Sequence, residues 1–262
     1  MFHTVSFLLL TIGAPGDSSD FLPVEEKRKT FELAPDQIFI PKGFDDNDTP
    51  QFIYAGEFPN NCYRVDNTRA ELKNGQIIFG MTAFKYPGAC IESTTAYYDA
   101  IDIHNMVDGV DKPLEEGDYP IWNTKKHDKP MGVLHIHHTD SPKRDDFNYA
   151  PINSSVVFFD ANSQRSVLIV FGLFTDSCQH VDIEKSRVML TGKNLIEVLP
   201  ILQDVEEGAV CKKGDHPFQQ KLMIPESIPA GRYMFHIRTA NGHSFNKFDL
   251  VQRESESDGL GK

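Results

Sequence analysis

The chain has 262 residues, 40% of them hydrophobic and 24% charged, which is enough to bury one large core or two of ordinary size. Its 38 acidic and 26 basic residues give a net charge of −12, which repels phosphate backbones and anionic lipid. The composition therefore argues against nucleic acid or a membrane surface as the main partner.

The first residues resemble a short secretory signal. An apolar run from Val5 to Leu10 is followed by small residues at Gly13 and Ala14, although no Lys or Arg precedes it. We predict a signal peptide over 1–14 and an N-terminal segment over 15–30, and the alternatives are an apolar first strand or a misassigned start codon. Because no stretch approaches the roughly 18 apolar residues of a membrane span, the sequence predicts a periplasmic or secreted protein without one.

One segment of the chain occurs twice. Residues 31–66 and 147–182 align without a gap and share nine identities in 36 positions, where unrelated segments share about two. Each shared residue of the first copy lies 116 residues before its counterpart, as Cys62 does before Cys178, and the set is Phe31, Ala34, Pro35, Ile53, Gly56, Phe58, Cys62, Val65 and Asp66. The period is an ordinary domain length, so the repeat predicts two duplicated modules.

An acidic loop lies inside the first copy. Asp45, Asp46 and Asp48 cluster there, and carboxylate oxygens are the ligands that calcium prefers. The spacing does not match an EF-hand, and Asp and Asn are also favoured in solvated turns. A calcium site is therefore one hypothesis for this loop, beside a plain surface turn.

Four cysteines allow three disulfide pairings, and the repeat selects one of them. Cys62 matches Cys178, and Cys90 matches Cys211 after a small insertion, which predicts the pairs Cys62 with Cys90 and Cys178 with Cys211. Each bond would stabilise the chain by about 3 to 4 kcal/mol in the chain-entropy model. Disulfides need an oxidising compartment, which agrees with export, and the alternative is reduced buried cysteines in the cytosol.

Short apolar, β-branched runs separated by turn residues predict an all-β fold. The predicted strands cover 37–40, 51–58, 76–84, 94–103, 133–138, 167–174, 194–202 and 233–237. The turn pairs between them include Asn74 with Gly75, and Thr191 with Gly192. Long helical periodicity is absent.

A second correspondence lies late in each module. Leu114, Gly117 and Tyr119 match Ile228, Gly231 and Tyr233, so each copy has an apolar residue, a glycine turn and a tyrosine at the start of a strand. This pattern is typical of the tyrosine corner of immunoglobulin-like sandwiches, in which the hydroxyl bonds the upstream backbone.

His135 and His137 form the most metal-like cluster. On a strand they point to one face, where two imidazoles can share a transition metal. The alternative is solvated histidines on the polar face of the last strand of the first module. A third ligand would have to come from elsewhere, and His127, His104 and Asp140 lie nearest in the sequence.

The predicted organisation follows from these markers. Module 1 covers 31–140, a polar linker with Pro142 covers 141–146, module 2 covers 147–253, and a polar tail covers 254–262. The short linker predicts limited freedom between two tandem immunoglobulin-like β-sandwich domains, each with one intradomain disulfide.

The pattern Gly-x-Phe-x-x-x-Cys, a later Cys, an apolar strand and Ile228-Pro-Ala-Gly-x-Tyr resembles small immunoglobulin-like modules of uncharacterised exported bacterial proteins. The first module departs from it, with Leu114-Glu-Glu-Gly in place of Ile228-Pro-Ala-Gly. The resemblance implies the fold and export, and it implies no activity.

The sequence contains no nucleophile elbow and no phosphate-binding glycine loop, so we expect no enzyme, no catalytic residues and no cofactor. We expect a binding or structural protein that recognises a protein partner, ahead of a carbohydrate. The alternatives are an exported metal-binding protein and an inhibitor or accessory module of an enzyme. Aromatic residues near predicted strand ends or loops are the candidate contacts, and the alternative, favoured for most of them and for Trp122, is core packing. They are Tyr97, Tyr98, Trp122, Tyr149, Phe245 and Phe248.

Overall fold

The computed structural model describes residues 29–107, 110–126, 128–143, 145–205 and 208–253. Regular structure there is all strand except for a short 3-10 helix at Ala240–Gly242, which confirms the all-β class. The predicted signal peptide, most of the segment over 15–30 and the tail lie outside the described residues. Among those residues, no helix is long and apolar enough to cross a membrane.

The first half of the chain, residues 30–137, forms two facing sheets and one small hairpin. Its strands are β1 Thr30–Leu33, β2 Gln37–Phe39, β3 Phe44–Asp45, β4 Gln51–Phe58, β5 Tyr63–Lys73, β6 Gln76–Lys85, β7 Thr95–Asp102, β8 Asn105–Val107, β9 Val110–Lys112, β10 Gly117–Asn123 and β11 Gly132–His137. One sheet has the order β2-β4-β7. The other runs β1-β6-β10-β11-β3, with β5 also paired to β6.

The second half, residues 149–253, forms a three-stranded and a four-stranded sheet. Its strands are β12 Ile152–Asp160, β13 Arg165–Asp176, β14 Arg187–Gly192, β15 Leu195–Leu199, β16 Lys213–Met223, β17 Gly231–Arg238 and β18 Ser244–Val251. The orders are β12-β13-β16 and β14-β15-β17-β18.

The two halves share one strand topology. The sheet β2-β4-β7 corresponds to β12-β13-β16, and β5-β6-β10-β11 corresponds to β14-β15-β17-β18. In each half one inner pair, β6 with β10 or β15 with β17, is parallel. An immunoglobulin sandwich consists of two antiparallel sheets, so this pair is a difference from the expected type.

Each half buries its own core between its two sheets. Alternate residues of the strands in the two facing sheets point inward, because successive side chains of a strand face opposite sides. The first core includes Phe52, Tyr54, Ile77, Phe79, Ile121, Leu134 and Ile136, and the second includes Leu168, Val170, Phe174, Ile196, Val198, Phe235 and Ile237.

Both disulfides join the residues that the repeat predicts. Cys62 is bonded to Cys90, and Cys178 is bonded to Cys211, which leaves no cysteine free. Each bond fixes the loop after a central strand to the segment that leads into an edge strand. The cysteines therefore have the same structural role in both halves.

The tyrosine corner is confirmed in both halves. The hydroxyl of Tyr119 donates to the carbonyl of Glu115 at 2.8 Å, and that of Tyr233 donates to the carbonyl of Pro229 at 3.1 Å. Each bond spans four residues and satisfies a carbonyl of the turn that precedes the strand.

One predicted turn is confirmed and another is displaced. Asn74 and Gly75, with φ of 52° and 71°, join β5 to β6 as a tight hairpin. In the second half, the prediction of a turn at Thr191 and Gly192 is wrong. Gly192 pairs with Leu195, and Asn194 takes the left-handed conformation with φ of 62°.

The two halves contact each other through sheet faces. Phe39, Ile53 and Ala55 on the outer face of β2-β4-β7 pack against Leu195 and Met234 on the outer face of β14-β15-β17-β18. This cluster buries apolar area at the contact and so holds the halves together.

Candidate functional site

His135 and His137 share the exposed face of β11, as the sequence predicts, while Leu134 and Ile136 are buried. The Nδ1 atom of His135 lies 2.6 Å from Oδ1 of Asp118 on the adjacent strand β10. Nδ1 of His135 is therefore hydrogen-bonded to Asp118, which leaves Nε2 of His135 as its nitrogen for a metal.

The acidic loop lies against the segment that follows β11. Asp45 is opposite His137 in the parallel pair β3–β11, and Oδ2 of Asp46 lies 2.6 Å from Nδ1 of His138. The Nε2 atom of His138 lies 3.4 Å from Oδ1 of Asp140. The hydrogen bond to Asp46 raises the pKa of His138, because two carboxylates favour the imidazolium. Strand pairing thus joins the histidine and aspartate clusters.

Among the residues that the structure describes, one group of three His, Cys, Asp or Glu side chains converges, and it is Asp176 with Cys178 and Cys211. Both sulfur atoms form the disulfide, so this group offers no thiolate to a metal. It does not include the predicted ligands of either metal site.

The three aspartates of the acidic loop have different partners. Oδ2 of Asp46 contacts His138, whereas Oδ2 of Asp48 accepts the backbone N–H of Asp45 at 2.9 Å. Asp48 is 8% exposed, and burial raises its pKa to about 6. The calcium site at Asp45, Asp46 and Asp48 and the metal site at His135 and His137 stay predictions.

A polar clamp lies where the two halves meet. Oε1 of buried Glu197 accepts the N–H of Lys42 at 2.6 Å, and Nη2 of Arg238 donates to the carbonyls of Lys42 and Gly43 at 2.7 and 3.0 Å. The guanidinium lies 4.7 Å from the ring centre of Phe44. These contacts fix the segment before β3 to the second half, so we interpret the clamp as structural.

A groove of 540 Å³ runs along the first half between β5 and β7. Among the described residues, β5 pairs only with β6 and β7 pairs only with β4, so each strand turns an unpaired edge toward the groove. Unpaired edges present backbone N–H and C=O groups that can pair with another strand. The groove therefore combines a cavity with free hydrogen-bonding backbone.

Aromatic rings line this groove. The ring centroids of Phe58 and Tyr63 are 5.6 Å apart and stacked, those of Phe58 and Tyr97 are 4.4 Å apart, and those of Tyr54 and Tyr97 are 6.4 Å apart. Burial raises the pKa of Tyr54 and of Tyr97 to about 12, so both phenols stay protonated at neutral pH. Tyrosine offers a large apolar surface together with a hydroxyl, which suits it to binding sites.

The second half differs from the first at the equivalent place. At the repeat offset, Tyr54 and Tyr63 correspond to Val170 and Gln179, and β14 begins only at Arg187. The second half therefore has no strand at the place of the first part of β5, and it has no tyrosine at the positions of Tyr54 and Tyr63. Differences between halves of one strand topology are where a specific function is expected, because the shared residues maintain the common fold.

A larger cleft of 720 Å³ lies beside the linker, and two of its polar side chains are already engaged. Gln179 accepts the N–H of Thr175 at 3.0 Å, and Oδ2 of Asp204 accepts from Nζ of Lys185 at 3.3 Å. The groove between β5 and β7 leaves backbone groups unpaired, so it is the stronger candidate.

Comparison with known proteins gives no relative. No protein-family model, no curated protein and no solved structure matches the chain significantly. The functional argument therefore depends on the geometry of the site.

The sequence singled out only part of this groove. Tyr97 and Tyr98 both line it, although the ring of Tyr98 also packs edge-on against Phe248 at 5.3 Å. Tyr54 and Tyr63 were not among the candidates, since they lie on separate strands that only the fold brings together. Comparing the two copies position by position would have marked both.

Proposed function

We propose that this protein is an exported, non-enzymatic binding protein built from two duplicated immunoglobulin-like β-sandwich modules, over 31–140 and 147–253. It recognises a protein partner through the groove between β5 and β7 of the first module. The two disulfides are consistent with a periplasmic or extracellular location.

One observation carries the proposal, and it concerns the edge strand of each three-stranded sheet. Glu57 pairs with Ala96 on β7, and the equivalent Leu173 pairs with Pro217 on β16. Proline has no N–H, so Pro217 does not donate a hydrogen bond to the central strand β13. Since Ala96 has the same register position in β7, its N–H is directed away from β4, toward the free edge. At this position the edge of β16 has no N–H donor, whereas the edge of β7 has one, at Ala96.

An extended polypeptide fits this arrangement better than a sugar does. A peptide strand added to β7 would gain backbone hydrogen bonds, and its alternate side chains would enter the space lined by Tyr54, Phe58 and Tyr97. Arg64, Asp66 and Asp99 at the rim offer charged contacts. Strand addition uses both special features of the groove.

The test uses a phage-displayed library of random twelve-residue peptides selected on the whole purified protein. We expect enriched peptides to bind the wild type and Ala96→Ser, which keeps the N–H, and to bind Ala96→Pro at least about tenfold more weakly. Fluorescence polarisation with synthetic peptides measures the affinities. Tyr63→Gln, which copies the second half, should weaken binding too.

Equal binding to Ala96→Pro, or no enrichment over an unrelated protein, would contradict strand addition. Binding to a glycan array without any peptide binding would favour the carbohydrate class instead. Unchanged thermal unfolding of Ala96→Pro is the control for its fold.

A further inference from the structure

The three-stranded sheet of the second half is apolar on both faces. Its inner face contributes to the core, and its outer face exposes four large apolar side chains at 38 to 45% of their surface, namely Val156, Phe158, Leu173 and Met223. Half-buried Ile169 and Phe171 lie among them on β13. Exposed apolar patches of this kind mark interaction sites on soluble proteins.

These side chains form one continuous surface. Val156 is opposite Ile169 and Phe158 is opposite Val167 in the pair β12–β13, and Val167 is opposite Met223 in the pair β13–β16. Residues directly opposite each other in antiparallel strands have their Cβ atoms about 5 Å apart, so the rows touch. We call this surface the outer face of β12-β13-β16.

The equivalent face in the first half is covered. The strand registers place Phe39, Ile53 and Ala55 at the positions of Val156, Ile169 and Phe171. In the first half these residues pack against the outer face of the four-stranded sheet of the second half, at Leu195 and Met234. The chain therefore already contains one interface of this type.

Two exposed positions on this face are apolar where the covered face is polar. The register positions of Glu57 and Asp102 hold Leu173 and Met223, which are 39% and 45% exposed. The change runs the other way at Lys221, which stands at the position of Ala100. Exposed apolar side chains at positions where the covered face is polar are typical of an interaction surface.

The face that covers the first half has an equivalent in the first half itself. The positions of Glu197, Met234, His236 and Phe248 in the second half are filled in the first half by half-buried Ile78, Pro120, Trp122 and Val133. The covering face thus has an apolar counterpart on β6, β10 and β11. One copy of the protein therefore presents both sides of a second interface.

We infer that the outer face of β12-β13-β16 binds the outer face of β6-β10-β11 of a second copy of this chain, head to tail. The inference does not depend on the groove, since the two faces lie elsewhere on the molecule. A contact between unlike faces leaves one of each free, so copies add into rings or open chains.

Sedimentation velocity of the full chain from about 1 µM to about 1 mM tests the inference. We expect the weight-average sedimentation coefficient to rise with concentration, and Phe158→Ser to weaken association at least about tenfold. The matched control is Leu190→Ser, which removes an equally exposed apolar residue from β14, away from both faces. It should associate like the wild type.

Circular dichroism and thermal unfolding check that every variant folds. A monomer at all concentrations, or association that Phe158→Ser leaves unchanged, would overturn the inference.

Discussion

Asp48 is a buried carboxyl whose ionisation opposes folding at neutral pH. Burial, with smaller contributions from Asp145 and Asp45, raises its pKa from 3.8 to about 6, although Arg238 lowers it. Because the folded pKa lies above the unfolded one, this group contributes stability that is full below pH 3.8 and is lost as the pH rises through 6. The neutral form fits the site better than the charged form does.

We therefore expect Asp48→Asn to stabilise the protein by about 1 to 3 kcal/mol at pH 7.5 and by almost nothing at pH 4. Asparagine keeps an oxygen that can accept the N–H of Asp45. Urea unfolding at the two pH values measures the difference. Asp128→Asn, at an exposed position, is the matched control, and an equal gain from both variants would refute the assignment to burial.

His236 has the opposite dependence on pH. Burial lowers its pKa from 6.5 to about 4, while Nδ1 bonds Oδ1 of Asn246 at 2.8 Å. Its contribution is present above pH 6.5 and is lost as the pH falls through 4, because the unfolded state binds the proton first. In the wild type the two groups offset each other between pH 4 and 6, so Asp48→Asn should also make the protein more acid-sensitive across that range.

The repeated glycines serve the central strand of each three-stranded sheet. Gly56 is opposite Tyr97, and Gly172 is opposite Phe218. The facing ring lies over the glycine in each case, where a Cβ atom would collide with it. The glycine of the repeated pattern thus makes room for a cross-strand aromatic ring.

Gly172→Ala should destabilise the protein by about 1 to 3 kcal/mol, because the added Cβ would also collide with the backbone carbonyl of Pro151, which cannot rotate away. Gly192→Ala is the matched control. Its Cβ would meet only Leu195, at an ordinary 3.7 Å. Guanidinium unfolding compares the two, and equal stability would show that the strand yields more easily than its packing suggests.

The sequence locates strands that carry a continuous apolar run, and it misses several strands at sheet edges. The apolar runs of β4 and β13 predict strands at 51–58 and 167–174, close to the observed bounds. The edge strands β5 and β16 alternate polar with apolar residues, and β16 contains Pro217, so their composition resembles that of loops. The groove lies between the edge strands β5 and β7, so the sequence alone could not predict it.

Duplication predicts two modules but not how they join. The contact between sheet faces depends on Met234 and Phe248, which have no counterpart of equal size in the first copy, where Pro120 and Val133 stand. Larger side chains in the second copy thus cover the outer face of β2-β4-β7 in the first copy. No local pattern in the sequence predicts that contact, because both residues also fit an ordinary strand.

The junction should make the two halves unfold together. Met234 is fully buried at the centre of the contact, on the outer face of β17, so Met234→Asp would place an unpaired charge there without entering either core. We expect one calorimetric transition for the wild type and two for Met234→Asp, since each half keeps its own core and disulfide. Leu250→Asp, exposed on β18, is the control and should keep one transition. A single transition for Met234→Asp at an unchanged temperature would mean that the apolar contact contributes little and that the polar clamp of Glu197 and Arg238 holds the halves together.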